Sequence, residues 1–172
     1  MPGEIYRELR EQLDQYSCGF PNTESGVELK ILEKLFTEEE AKMFLSLSLR
    51  AETLEEAAKR LGRDPAAVAS TLHRMSEKGL VFRLSKGEAY SYAAIPFMLG
   101  IYEYQLGRMD GELAGLCEQY FEEAFLKSTT TVDPLMRTIP VNRSVGPLHP
   151  VATYEDSRAM VKSQSFIALA KC

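Results

Sequence analysis

Cysteine is scarce in this sequence and widely scattered. Cys18, Cys117 and Cys172 lie far apart, no CxxC pair occurs, and the two histidines, His73 and His149, are isolated. An odd set of distant thiols excludes a disulfide framework in a reducing compartment. With no ligand pair at metal-site spacing, the chain as it stands displays no metal site. There is no run of 18 apolar residues, so no membrane span and no membrane partner are expected. The opening, MPGEIYRELREQLDQY, is polar and mixed in charge, unlike a signal peptide, which points to the cytoplasm. P-loop, Rossmann glycine and nucleophile-elbow patterns are missing. The glutamates at 38–40 sit at a helix start, not as facing carboxylates in a cleft. No enzyme is expected.

What is present is the balance of a globular domain: 172 residues, 45% hydrophobic and 26% charged, with a net charge of −5. The charge is unevenly placed. Residues 48–92 carry 8 basic and 6 acidic side chains, between acidic blocks with 5 and 10 (1–47) and 2 and 6 (93–127). A local excess of this size permits contact with nucleic acid without demanding it.

Apolar spacing and punctuation divide the chain. Ile5, Leu9, Leu13 and Tyr16 predict a helix over 4–16. After the break at Cys18–Asn22, Thr23 or Ser25 caps a second helix with Val27, Ile31, Leu32 and Leu35 on its apolar face. Thr37 with Glu40, and Thr53 with Glu56, are capping-box pairs that start two further helices. Met43, Phe44, Leu47 and Leu49 follow the first of these on or near its buried face. Gly62 stops the next, and Asp64-Pro65 starts another that runs to Lys78, with Val68, Leu72 and Met75 inward and Gly79 as its end. The period then changes: 80–84 and 89–93 are expected to be strands around a turn at Ser85–Glu88. Helices followed by a hairpin make the winged helix-turn-helix order. From Pro96, one long helix is expected to reach about Lys127, four glycines weakening it, with a second protomer covering part of its apolar stripe. Beyond Ser128 follow an extended piece at 136–141, a loop at 146–150, a helix from Glu155 to Lys162 and a strand at 166–170.

The expected class is therefore α+β, mainly α: N-terminal helices (1–36), a winged helix-turn-helix (37–93), a long dimerisation helix (94–127) and a C-terminal region (128–172). In such a module the second helix of the pair enters the major groove. Its outward residues are expected to be Ala66, Ala67, Ser70, Thr71, Arg74 and Lys78. Arg74 would pair with guanine, and Ser70 and Thr71 with bases or phosphates. Arg63 sits in the turn near a phosphate, and Lys86 at the wing tip reaches a minor groove or the backbone. The competing reading leaves Arg74 and Lys78 solvated or paired with Glu77 or another surface carboxylate, Lys86 as part of a plain turn, and His73 and Cys117 as structural residues.

Several stretches together resemble one family. They are Gly19–Lys30, Lys34–Ala41, Pro96-Phe97-Met98 with Gly100–Gln105, Arg137–Val141, and Tyr154-Glu155 through Ser165–Cys172. They are similar to prokaryotic, largely anaerobe proteins with an N-terminal winged helix and a C-terminal 4Fe–4S ferredoxin-type region. The resemblance implies that this chain is the N-terminal portion of a longer iron–sulfur protein, with Cys172 in the place of the first cluster cysteine. One thiolate does not hold a cubane cluster, which takes four ligands, so no cofactor is expected in this chain itself. The partners expected are a second protomer and DNA. The alternative is a ferredoxin-type electron-transfer protein whose winged helix serves dimerisation or docking to a redox partner.

Overall fold

The computed structural model describes residues 2–16, 18–86, 89–127 and 154–167. The chain divides into two units, Met1–Leu135 and Met136–Cys172.

In the first unit, α1 (Pro2–Asp14) buries Tyr6, Leu9 and Leu13, one helical face as the spacing requires. The Tyr6 hydroxyl donates to the Phe36 carbonyl at 2.9 Å, tying α1 to the end of α2 (Val27–Leu35). The N-cap of α2 is Gly26, at φ 67°, and not Thr23 or Ser25, although the Val27 N–H faces Thr23 Oγ1 at 3.2 Å and Ser25 Oγ at 3.3 Å. Helix α3 (Glu38–Leu45) carries the Thr37–Glu40 capping box, and α4 (Leu54–Leu61) the Thr53–Glu56 box. Met43, Phe44 and Leu47 enter the core, whereas Leu49 stays exposed. Gly62 ends α4 in the left-handed conformation, at φ 59°. Asp64 then accepts from the Ala67 N–H at 3.0 Å, opening α5 (Pro65–Glu77). Gly79 is required twice over. Its φ is +73°, and an added Cβ would lie 2.4 Å from the Tyr104 Cβ.

The first strand of the hairpin begins two residues later than its pattern suggests, while the second falls where it is expected. Strand β2 is Phe82–Lys86, because Leu80 and Val81 are buried as the link between α5 and the sheet. It pairs antiparallel with β3 (Ala89–Ala93), Arg83 opposite Tyr92 and Ser85 opposite Tyr90. A short strand that the sequence did not announce, β1 (Glu52–Thr53), pairs with β3 on its other side, giving the order β1-β3-β2. Two residues are too few to show a period of two.

The long helix expected after Pro96 is broken. Met98 is extended and Leu99 lies at φ 60°, so Phe97–Ile101 is a wide turn in which the Ile101 N–H reaches the Pro96 carbonyl. The Glu103 carboxylate fixes this turn by accepting from the Leu99 and Gly100 N–H groups. Helix α6 (Tyr102–Gln105) is a single turn. Asp110 then caps Leu113 at 2.8 Å and starts α7 (Gly111–Tyr120), which runs on through Phe121–Phe125. Local capping at Asp110 and the turn at 106–108 outweigh the continuous apolar spacing. Leu113, Cys117, Tyr120 and Ala124 of the resulting helix face the chain's own core. Phe20 lies 4.2 Å from Phe97 and 4.8 Å from Tyr120, ring centre to ring centre, at the middle of an aromatic cluster.

In the second unit, α8 (Tyr154–Lys162) begins one residue before the expected helix. Phe166 and Ile167 are exposed and form no strand. The rest of that expected strand, the pieces at 136–141 and 146–150, and Cys172 lie outside the described residues. Among the described residues, no helix is long and apolar enough to cross a membrane.

Candidate nucleic-acid interface

Helices α4 and α5 pack together, with Ala57 and Ala58 of α4 and Val68 and Leu72 of α5 buried in the core. The turn between them, Gly62-Arg63-Asp64, is exposed, and so are Ala66, Ala67 and Ser70 on the first half of α5. This surface has no charge of its own beyond Arg63 and the capping Asp64.

The second half of α5 is different. Thr71, expected outward, is 4% exposed. It shares the helix face of Val68, Leu72 and Met75, and its hydroxyl lies 3.4 Å from Glu39 Oε1. Arg74 does lie at the surface, with its side chain 45% exposed, but it is not free. Its Nε donates to Glu40 Oε1 at 3.1 Å and its terminal nitrogen to Glu39 Oε2 at 3.0 Å. The Lys78 ammonium donates to Glu40 Oε2 at 2.6 Å. The paired state of these two cations is thus the one observed, with carboxylates from α3 as the partners. Glu40 is 0% exposed. Its burial works to raise the carboxyl pKa, but the Lys78 ammonium, the Thr37 N–H and Arg74 outweigh that and hold it below the usual carboxylate range.

The end of α5 is also held from the opposite side. The buried Gln105 amide donates to the carbonyls of Lys78 (3.0 Å) and Ile101 (3.2 Å), and Arg108 donates to the Glu77 carbonyl at 2.6 Å. These bonds satisfy carbonyls that a helix end leaves without partners.

Three side chains join the helix to the wing, and the sequence reading had not chosen them. His73, expected beside the apolar face, has its side chain 56% exposed. Its Nδ1 lies 3.3 Å from an Arg83 guanidinium nitrogen and its Nε2 3.4 Å from Glu77. The Arg83 guanidinium stands 5.1 Å from the Tyr90 ring centre, a cation–π distance. A signal for His73 existed, since it falls three residues after Ser70 and seven after Ala66, on their helix face. Arg83 needed the strand register, which sets it opposite Tyr92. The Lys86 backbone pairs with Ala89 in the hairpin, while its side chain, Gly87 and Glu88 lie outside the described residues.

Other chemistry is sparse. Burial pushes the Cys117 thiol up to about 11, so at neutral pH it is an unreactive core group. Among the described residues, no three His, Cys, Asp or Glu side chains are placed to hold a metal ion.

The helices, the turn between them and the three-stranded sheet identify the architecture. The fold is a winged helix-turn-helix. A family model described as "Sugar-specific transcriptional regulator TrmB" matches residues 32–98, from the second half of α2 through the wing. That family is one of regulators, not of enzymes. The match covers less than half of the chain. No curated protein matches. Among solved structures, wild-type apo MarR from E. coli is similar, with 18% identity, 76% of this chain and 81% of that chain covered, and a TM-score of 0.30. A MarR mutant from E. coli gives the same identity and TM-score, covering 76% and 80%. Neither likeness adds to the fold assignment, which rests on the elements themselves. None of these matches is to a ferredoxin or 4Fe–4S family.

Proposed function

We propose that this chain is a transcription regulator that binds double-stranded DNA through the first half of α5, the α4–α5 turn and the wing. The observation that supports it is the exposed, small-residue surface of Ala66, Ala67 and Ser70, flanked by Arg63 on one side and by the His73–Arg83–Tyr90 joint on the other. Small side chains let a helix approach the groove floor, where alanine can meet a thymine methyl and serine a base or phosphate. Arg63, Arg83 and Lys86 are the cations assigned to phosphates. Thr71 is left out because it is buried, and Lys78 because Glu40 holds it.

With about three phosphates neutralised, the logarithm of affinity should fall with the logarithm of salt with a slope of about −3. Fluorescence anisotropy with a mixed-sequence duplex at several salt concentrations measures it. Arg63→Ala and Arg83→Ala should each weaken binding and reduce the slope by about one. Absent or salt-insensitive binding would defeat the reading.

Two protomers are expected to read two half-sites, as helix-turn-helix proteins do on symmetric operators. Because Leu113, Cys117 and Tyr120 are buried in the chain's own core, the part of the expected apolar stripe left for a second protomer is the part that stays at the surface, such as Tyr104. The 4Fe–4S cluster and redox partner implied by the resemblance belong, in this reading, to a longer chain in which Cys172 supplies one of four thiolates.

A further inference from the structure

The acidic start of α3 holds the recognition helix with two carboxylates in opposite settings. Glu40 is sealed in the protein and serves the capping box as well as Arg74 and Lys78. Glu39 is 67% exposed and engages the outer nitrogen of Arg74, with the Thr71 hydroxyl beside its other oxygen.

We propose that Glu39 is a specificity-determining residue of the DNA interface, which withholds Arg74 from phosphates and releases it only to a base edge. The inference rests on the DNA-binding reading above. An exposed ion pair contributes little to folding, so the larger consequence of Glu39 is electrostatic. Paired with Glu39, Arg74 presents no net charge to the phosphate backbone and displaces no counterion. A phosphate that captured Arg74 would also set its own negative charge beside the Glu39 carboxylate, a like-charge contact that costs affinity. Guanine offers Arg74 two acceptors, N7 and O6, without a formal charge. The exchange of Glu39 for guanine therefore avoids the repulsion that the exchange for phosphate incurs. Discrimination of this kind works by penalising the wrong contact. It also accounts for an arginine that lies on the recognition helix at 45% exposure yet carries two carboxylate partners.

The test is a double-mutant cycle on the intact chain, read by anisotropy with a mixed-sequence duplex. Glu39→Gln should tighten binding roughly 3- to 10-fold and steepen the salt slope by about 0.9, the increment for one added phosphate contact. Arg74→Ala should leave the salt slope unchanged alone and should abolish the gain in slope when combined with Glu39→Gln. Thermal unfolding of each variant confirms that the fold is kept. Unchanged affinity and slope in Glu39→Gln, with the wild-type chain binding DNA, overturns this proposal and leaves the DNA-binding reading intact. An equal reduction of the salt slope by Arg74→Ala in both backgrounds also overturns it, because Arg74 would then already be on phosphate. Failure of every variant to bind DNA overturns both.

Discussion

The Thr37–Glu40 and Thr53–Glu56 capping boxes are the same motif with the same local geometry. In each, the glutamate accepts from the threonine N–H at 2.9 Å and the threonine hydroxyl accepts from the glutamate N–H at 3.2 Å. Their surroundings separate them. Glu56 is exposed and does no more than start α4. Glu40 is buried and also anchors Arg74 and Lys78 of the recognition helix. A helix cap is legible as a local motif, but whether it is also a tertiary clamp depends on what packs over it.

The sharpest way to break the comparison is to remove each glutamate. Glu40→Ala deletes the cap partner and leaves two cations at a partly buried site without their carboxylate. Loss of one member of a fully buried pair costs about 3–5 kcal/mol. Since Arg74 and Lys78 keep partial access to solvent, a loss of about 2–3 kcal/mol in chemical denaturation is expected, discounted for that screening. Equal losses from Glu40→Ala and Glu56→Ala would show that the clamp contributes nothing beyond the cap.

A gentler probe is acid. The folded-state pKa of Glu40 is depressed, so its stabilisation is fully present above the unfolded-state value and is lost as pH falls through the folded one. Denaturation midpoints measured downward from neutral pH should therefore fall more steeply for the wild type than for Glu40→Gln. Parallel acid limbs would contradict the clamp. The smallest effect belongs to Glu56→Ala, which removes one half of an exposed cap and should cost about 0.5–1 kcal/mol.

Much of the fold could be read before the structure. Each predicted stop of the winged-helix core lies where a glycine takes positive φ, at Gly62 and Gly79, and each predicted start lies where Thr37, Thr53 or Asp64 caps. These features depend on a few adjacent residues and survive any packing. Less local features were missed. The apolar residues from Phe97 to Phe125 keep helical spacing across the Leu99 reversal and the break before Asp110, so periodicity alone suggested one rod. The choice of interface residues was mixed for the same reason. Ser70 and Arg63 are exposed as expected, while Thr71 turns inward and His73 outward.

By itself the amino-acid sequence determined where α3, α4 and α5 begin and where α4 and α5 end, that a hairpin follows them, and that no membrane-spanning helix was to be expected. Each of these follows from backbone preference, capping or composition within a short window. The tertiary structure alone decided that α7 folds back on its own core, that β1 completes the sheet, and that Arg74 and Lys78 meet Glu39 and Glu40 more than thirty residues away. Partners so distant along the chain are chosen by which faces pack together, and local spacing carries no record of that choice.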